Sequence, residues 1–485
     1  MRVDYNGIPY YMNHQVWQPG VNDARGIGGD QLQMALSSWR LLYAYNGNER
    51  VKENMKFLAD YYISHGLSSP TSKWPNIPYP YNTLVYSGIY DGDMVIGKGF
   101  TQPDKAGSFG IELIHLYKML SRERYPHKTN EHYLDVAINI ANTLSGKMIA
   151  GDSVRSPLPF KVHTETSELG IINQRLKHDS LANQSGYTTN WAGTMEMFVQ
   201  LIKLKRGNVA AYQKSFDILL KWMKKYPLKN NRWGPFFEDI PEWSDTQINA
   251  ITFAQFMMSH PEYFPEWKQQ VNNIFNWVYL KLGNKTWEKY GVVAVNEQTA
   301  YQTPGNSHTS RQASAELEYA RITGDTSRVP NAKRQLNWAT YMVDNDGKNR
   351  YPQDDNWLTD GYGDYVRHYI RSMGSMPELA PSVADHIVYS SSTIQQADYS
   401  PVFKKFVQLE LSEGDTANAR LYYRTFETQG IDVIRMKSRP SVVIVNKVAI
   451  SENKNGGNYY SWRGLDEGGV LTIHRKDGNT VLIKN

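Results

Sequence analysis

The chain has 485 residues, no cysteine and a formal net charge of +5, with 40% hydrophobic and 21% charged residues. This composition is typical of a folded globular protein, and the absence of cysteine excludes disulfides, thiol nucleophiles and cysteine-bound metals. Basic residues are scattered, which argues against nucleic acid as the main partner. No apolar run is long enough to predict a membrane span.

The first residues, MRVDYNGIPYY, contain no apolar core of a signal peptide. Either the protein is cytoplasmic or the sequence starts after a removed signal. We favour the second alternative slightly, which predicts a secreted or periplasmic protein.

A helical pattern recurs through residues 30–375. An apolar stripe with the spacing i, i+4, i+7, i+8, i+11 starts at Val51 and returns from Tyr133, Tyr212 and Trp267, and more weakly from Ala332. Another predicted helix precedes each stripe, over 30–45, 104–120, 187–205, 245–258 and 309–322, and a further helix is predicted over 361–374. Connections within pairs are short and those between pairs are long. The pattern therefore predicts antiparallel helical hairpins whose long loops share one end.

The helix beginnings at the long-loop end carry similar polar residues. They are interpreted as N-caps, each stabilising its helix by about 1 kcal/mol, and are Asp30, Asp104, Thr188, Asp245, Ser307 and Asp360. Because loops on a rigid scaffold often carry function, a second interpretation is a shared cavity. It would be surrounded by Asp104, Asn190, Asp245, His308 and Asp360.

The pattern changes after about residue 385. Alternating β-branched and aromatic runs at 421–426, 431–436, 441–450, 469–474 and 480–485 predict antiparallel strands. We therefore expect a helical domain over 1–380 and a smaller β-domain, a sheet or sandwich, over 381–485.

Acidic and aromatic residues alternate most densely in the segment 232–250, RWGPFFEDIPEWSDTQINA. Glycan hydrolysis needs one carboxylic acid to protonate the leaving oxygen and a second carboxylate to attack the anomeric carbon or activate water. The carboxylates favoured for these roles are Glu238, Asp239 and Glu297. Other residues are predicted to contact the substrate. The aromatic rings expected to stack on sugar are Trp191, Trp243 and Tyr362, and the cations expected to bind a carboxylate are Lys105 and Arg311. The remaining predicted contacts are the polar residues Asp104, Asn190, Asp245, Gln247 and Asp360. By contrast, Glu112, Glu196 and Glu316 lie inside predicted helices and are interpreted as buried partners of Arg or Trp.

The segment 296–313, NEQTAYQTPGNSHTSRQA, suggests different chemistry. Tyr301 or His308 could remove the proton next to a uronate carboxylate, while Asn190 or Arg311 neutralises the charge that develops. This would support a polysaccharide lyase or a uronate C5-epimerase, and the residues alone do not separate the two. A third alternative is a non-catalytic toroid that binds glycans. No metal-binding or phosphate-binding motif is present, so we predict neither metal nor cofactor.

The helical hairpins, the acid-aromatic loops and the β-rich tail together resemble the six-hairpin (α/α) toroid superfamily. That superfamily includes glycoside hydrolases, unsaturated uronyl hydrolases, polysaccharide lyases and sugar epimerases. The resemblance implies a mainly α fold, an (α/α)6 toroid with a C-terminal antiparallel β-domain, and an oligo- or polysaccharide substrate. Since it is a resemblance of fold, no family's catalytic residues carry over. Hydrolysis is the leading hypothesis, and the sugar and the oligomeric state stay open.

Overall fold

The computed structural model describes residues 2–5, 8–11, 29–79, 99–121, 130–171, 185–237, 243–343, 349–350, 359–360, 362–399, 418–453 and 456–485. Eleven long helices and one short helix lie within these ranges, and the predicted series of helices is confirmed. No described helix combines the length and apolar character needed to cross a bilayer.

The helices follow one another as pairs with short connections. In chain order they are α1 (Gly29–Asn46), α2 (Glu49–His65), α3 (Pro103–Leu120), α4 (Glu131–Lys147), α5 (Ala192–Leu204), α6 (Val209–Lys225), the short α7 (Pro227–Asn230), α8 (Gln247–Ser259), α9 (Trp267–Leu282), α10 (Asn306–Thr323), α11 (Val329–Tyr341) and α12 (Tyr362–Ser375). Left-handed residues end α5 and α10, at Lys205 (φ 54°) and Gly324 (φ 80°). The Asn208 side chain then caps α6 by accepting a hydrogen bond from the Ala211 amide at 3.2 Å.

The two members of a pair differ in burial. The second helices α6, α9 and α11 are amphipathic and bury the predicted stripe, including Phe216, Val271 and Leu336. The first helices α8 and α10 are buried around nearly their whole circumference. Helix α8 packs against α9, α5 and α10, while α10 also packs against α11. The first members α5, α8 and α10 therefore form an inner layer of helices.

Short strand pairs lie before the first helix and in the connections between hairpins. They are β1 (Arg2–Tyr5) with β2 (Ile8–Tyr11), β3 (Phe100–Thr101) with β4 (Val162–His163), β5 (Gly283–Asn284) with β6 (Ala294–Val295), and β7 (Asn349–Arg350) with β8 (Thr359–Asp360). All four pairs are antiparallel. The described part of the first 375 residues therefore contains no parallel sheet.

The C-terminal part consists of strands. These are β9 (His386–Ser390), β10 (Ile394–Asp398), β11 (Ala419–Thr425), β12 (Gly430–Met436), β13 (Val442–Val445), β14 (Val448–Ala449), β15 (Ser451–Glu452), β16 (Tyr459–Gly464), β17 (Gly469–Arg475) and β18 (Thr480–Lys484). One five-stranded sheet has the order β10-β11-β18-β13-β14 and the other β15-β16-β17-β12-β9. Within them only β15 and β16 pair in parallel. The predicted strand-rich tail is confirmed.

A buried ionic group lies between these two sheets. The Arg475 Nε donates to Asp432 Oδ2 at 2.7 Å, and the Tyr423 hydroxyl donates to the same oxygen at 2.8 Å. Both charged side chains are fully buried. Because an unpaired buried charge is costly, removing one of the two charged residues should destabilise this part of the protein.

The chain forms two compact units. One comprises Met1–Leu36, Asn54–Ile114 and Tyr133–Tyr365, and the other Ser37–Glu53, His115–His132 and Val366–Asn485. The domain boundary predicted at residue 380 stays a prediction.

Candidate functional site

Several predicted site residues lie outside the described side chains. Glu238 and Asp239 fall in the gap 238–242. For Asp360, the last residue of β8, and Tyr362, the first of α12, only the backbone is described. Their roles stay predictions.

Helix α10 is unusual because it is buried and polar together. Nine of its first eleven residues carry polar or charged side chains, and all eleven are buried. They are Asn306, Ser307, His308, Thr309, Ser310, Arg311, Gln312, Ala313, Ser314, Ala315 and Glu316. A buried polar surface is costly unless its groups are satisfied by partners. The start of α10 is therefore the strongest indication of a functional site.

A buried carboxylate faces the histidine in the first turn of α10. Glu297 Oε1 lies 3.9 Å from His308 Nδ1, and both side chains are at most 8% exposed. Gly305 sits against this pair, because a Cβ there would come within 2.7 Å of the His308 Nδ1 and 3.4 Å of the Glu297 carboxylate. The ring of Phe237 lies 6.0 Å from the imidazole. At 3.9 Å the carboxylate is close enough to stabilise a positive charge on the imidazole whenever the ring carries one.

Gln247, at the first position of α8, links that helix to α10. Its Nε2 donates to the His308 carbonyl at 3.2 Å and to Gln312 Oε1 at 3.4 Å. Its Oε1 accepts from Arg311 Nη1 at 2.9 Å. These contacts bring Gln247, His308 and Arg311 together. A direct contact of Gln247 with substrate stays a prediction, since the described bonds of its amide are to protein groups.

A second polar group lies at the start of α3. The buried Asp104 Oδ2 accepts from Asn190 Nδ2 at 3.0 Å and from Lys105 Nζ at 3.2 Å. Lys105 also donates to the Phe236 carbonyl at 2.6 Å and lies 3.7 Å from that ring. Burial raises the pKa of the Asp104 carboxyl, although the nearby Lys105 charge and the hydrogen bonds from Asn190 and Lys105 oppose the rise. The structure thus brings together Asp104, Lys105 and Asn190, three predicted residues from two hairpins.

The two polar groups are joined through neighbouring residues of one segment. Phe236 contacts Lys105 through its carbonyl, and the adjacent Phe237 ring lies near His308. The ammonium of Lys105 is engaged by protein oxygens, so its predicted contact with a substrate carboxylate would require it to exchange these partners.

The aromatic residues predicted to stack on sugar differ in exposure. Trp191 is fully buried, and its indole N–H donates to the Thr188 carbonyl at 2.8 Å. Trp243 is half-buried beneath the Arg232 guanidinium, whose carbon lies 3.8 Å from the ring centre. Stacking on sugar stays a prediction for both rings, and Trp191 would first have to be uncovered.

The N-cap interpretation is wrong for five of its residues. Asp30 and Asp104 are already the second residues of α1 and α3, and the other three are Asp245, Ser307 and Thr188. Helix α8 has Thr246 at its N-cap, and Asp245 instead accepts hydrogen bonds from the amides of Trp233 (2.7 Å) and Gly234 (2.8 Å). The N-cap of α10 is Gly305, so Ser307 is already inside the helix. Thr188 lies four residues before the first residue of α5, and its hydroxyl donates to the Pro235 carbonyl at 3.0 Å.

Tyr301 lies in the loop between β6 and α10 and is 36% exposed. The loop is closed by a hydrogen bond from the Glu297 amide to the Thr303 carbonyl at 3.0 Å. A further bond, from the Gln247 amide to the Glu297 carbonyl at 3.1 Å, attaches the loop to α8. Tyr301 is therefore accessible, and its catalytic role stays a prediction.

The sequence analysis assigned Gln312, Phe236 and Phe237 no role and placed Glu316 among buried partners. Glu316 is buried, with Arg328 Nη1 at 3.9 Å and the Tyr279 hydroxyl at 3.0 Å, as expected for a buried partner of arginine. Glu196 instead bonds His260 at 2.6 Å, so its predicted partner type was wrong. One signal in the sequence could have pointed to Gln312 and Glu316. The run 306–316 is almost entirely polar although most of it lies within a predicted helix.

No group of three or more His, Asp or Glu residues placed to hold a metal occurs among the described side chains.

No family model and no curated protein matches the sequence. Solved structures do match the fold. A sugar epimerase from a ruminal bacterium is 12% identical, with a TM-score of 0.54 over 77% of this chain and 94% of the other. The cellobiose 2-epimerase of Spirochaeta thermophila is 11% identical, with a TM-score of 0.51 over 73% of this chain and 86% of the other.

These likenesses show the fold. The chain is a mainly α protein with the (α/α)6 toroid fold of helical hairpins and a C-terminal region of β-sheet. The predicted fold is thereby confirmed. A shared fold does not carry a reaction with it.

Proposed function

We propose that this protein is an enzyme that acts on carbohydrate, with its acid–base chemistry at the Glu297–His308 pair. The observation that carries the proposal is a buried carboxylate 3.9 Å from a buried imidazole, at the start of a polar helix of the inner layer. Two structures of the same fold, described as sugar epimerases, support a sugar as substrate.

The geometry supports proton transfer at a sugar carbon best. In this mechanism His308 removes the proton from a carbon next to a carbonyl or carboxylate, and the electron pair moves onto that group. Glu297 stabilises the imidazolium that forms. The guanidinium of Arg311, one turn further along α10, stabilises the negative charge on the substrate oxygen. Delivery of a proton from solvent to the opposite face gives an epimer, and His308 releases the first proton to solvent. Loss of a leaving group from the neighbouring carbon, which takes up a proton as it departs, gives an unsaturated sugar.

Hydrolysis is the second candidate, favoured by one observation. Phe236 and Phe237 lie beside Lys105 and His308 and directly precede Glu238 in the sequence. Glu238 and Asp239 would then serve as acid and nucleophile or base. Glu297 would support them.

The two reactions are separated by products and by variants. Proton transfer predicts that His308→Gln and Glu297→Gln lose about 10²–10⁴-fold in kcat, while Glu238→Gln and Asp239→Asn keep most activity. His260→Gln is the matched control, because His260 is a buried histidine of the same unit that is paired with another glutamate, Glu196. The products on a panel of uronate-containing and neutral glycans should be epimers, or sugars with a new ultraviolet-absorbing double bond.

The opposite pattern, with the Glu238 and Asp239 variants inactive and new reducing ends formed, would replace proton transfer by hydrolysis. Binding of glycans without any change in them would replace both by the non-catalytic alternative.

A further inference from the structure

Four buried side chains form a continuous chain of hydrogen bonds that ends at the proposed site. Arg311 Nη1 donates to Gln247 Oε1 at 2.9 Å, and Gln247 Nε2 donates to Gln312 Oε1 at 3.4 Å. Gln312 Nε2 in turn donates to Glu316 Oε1 at 2.9 Å. All four side chains are at most 1% exposed. We call Arg311, Gln247, Gln312 and Glu316 the glutamine chain.

The glutamine chain has only one consistent direction. An arginine side chain can only donate hydrogen bonds, and the Oε1 atom of Glu316 accepts. Each amide between them must therefore present its oxygen toward Arg311 and its nitrogen toward Glu316. Reversing either amide would set two donors or two acceptors against each other in a buried place, where an unsatisfied polar group is costly.

The far end of the glutamine chain is fixed to the outer helices. Glu316 Oε2 accepts from the Tyr279 hydroxyl of α9 at 3.0 Å. The hydroxyl oxygen of Tyr279 accepts from Asn331 Nδ2 at 3.0 Å and from Gln335 Nε2 at 3.2 Å, both on α11. The carboxylate is therefore held by two neighbouring helices while it accepts from Gln312.

We propose that Glu316 and Gln312 are positioning residues, which act through Gln247 to fix the orientation of the Arg311 guanidinium in the site. The proposal rests on the proposed function for its catalytic consequence. Neither residue needs to touch the substrate, since Gln312 and Glu316 lie one and two turns beyond His308 on α10. Interruption of the glutamine chain leaves the Gln247 amide nitrogen with the His308 carbonyl as its remaining described acceptor. The Gln247 oxygen is then held less firmly, and so is the Arg311 guanidinium that donates to it.

The experiment compares two buried glutamines that share the Tyr279 network. Gln312→Met interrupts the glutamine chain, whereas Gln335→Met, the matched control, removes a fully buried glutamine on the other side of Tyr279. The first readout is the side-chain ¹⁵N NMR spectrum of arginine-labelled protein, with the Arg311 signals assigned by Arg311→Lys. We expect the Arg311 signals to shift or broaden in Gln312→Met and to stay in place in Gln335→Met.

A second pair of variants guards against misfolding of Gln312→Met. Glu316→Gln keeps a carbonyl oxygen for Gln312 and should retain the wild-type Arg311 signals, whereas Glu316→Leu should lose them. Unchanged Arg311 signals in Gln312→Met and Glu316→Leu would overturn the inference.

The catalytic consequence is measured separately with the glycan on which the wild type is active. A misplaced group costs kcat up to about 10²-fold, so Gln312→Met should lose about 10- to 100-fold in kcat with little change in KM. Gln335→Met should lose less than about threefold. Equal losses of kcat in both variants would mark the glutamine chain as purely structural. The NMR experiment needs no substrate. Failure of the wild type to act on any carbohydrate would therefore reject the proposed function, while the effect of Gln312 and Glu316 on the orientation of Arg311 would still be tested by the spectra.

Discussion

Replacing Glu316 with glutamine should remove a pH dependence from the folding stability. Burial raises the pKa of Glu316 from 4.5 to about 7, against the lowering effects of the Gln312 hydrogen bond, the Arg328 charge and the Tyr279 hydrogen bond. The folded state therefore favours the neutral carboxyl. Its contribution to stability is fully present below pH 4.5 and is lost as the pH rises through about 7.

The magnitude follows from the difference between the two pKa values. One pKa unit corresponds to about 1.4 kcal/mol, so the change from 4.5 to about 7 corresponds to about 3 kcal/mol in full. Between about pH 5 and pH 8 the wild type should lose about 2–3 kcal/mol of stability that Glu316→Gln does not lose. Other titrating groups affect both proteins alike and cancel in the comparison.

The assay is urea denaturation of both proteins at the two pH values, followed by tryptophan fluorescence and far-ultraviolet circular dichroism. Glu288→Gln is the control, since the Glu288 side chain is 59% exposed. It should follow the wild type. If the wild type and Glu316→Gln lose stability equally from pH 5 to pH 8, Glu316 does not titrate in this range and the reasoning is refuted.

Three further predictions concern single contacts. Asp104→Ala leaves the buried Lys105 ammonium without its carboxylate and should lower the free energy of unfolding, measured by urea denaturation, by about 3–5 kcal/mol. Adding Lys105→Met should recover part of this loss. If the effects of the two substitutions on the free energy of unfolding simply add, the pairing is contradicted. Arg475→Met should lower the free energy of unfolding by a similar amount, because it leaves the buried Asp432 carboxylate without its cation. The same urea denaturation measures it, and a loss below about 1 kcal/mol would contradict this prediction. Gly305→Ala places a methyl group 2.7 Å from the imidazole of the proposed pair, so the buried ring must move. We expect kcat to fall at least about 10-fold and the unfolding midpoint to fall because of overpacking; unchanged kcat would contradict the placement.

The helices were predictable because their signals are local. The stripe from Tyr212 through Phe216 and Met223 appears in the sequence and is buried in α6. The prediction of a helix from residue 187 was wrong by five residues, since α5 begins at Ala192. Thr188 and Thr189 donate to the carbonyls of Pro235 and Trp233, at 3.0 and 2.5 Å, which holds this segment outside the helix. Such competition by threonine hydroxyls depends on a distant segment.

The strands show the same limit. The run 441–450 was predicted as one strand, but Asn446 (φ 47°) and Lys447 (φ 66°) form a tight turn that divides it into β13 and β14. Two successive residues with positive φ suit a two-residue hairpin turn. Neither is glycine, so the usual sequence signal for this turn was missing.

The site was predictable as a set of residue types and not as a geometry. His308, Arg311, Gln247 and Glu297 were named from two separate segments, and the structure places them in contact through α8 and α10. The part played by Gln312 could not be foreseen, because its bonds join residues 65 and 4 positions away along the chain. A buried glutamine and a surface glutamine look alike until the packing of the helices is known.

The most direct test of the proposed function is to follow a glycan panel by NMR in deuterated water. Proton transfer by His308 predicts that the wild type introduces deuterium at a sugar carbon next to a carbonyl or carboxylate, or forms a double bond there. His308→Gln should do neither, while the control His260→Gln should behave as the wild type. New reducing ends that carry oxygen from the solvent, without deuterium on carbon and with His308→Gln still active, would contradict the account.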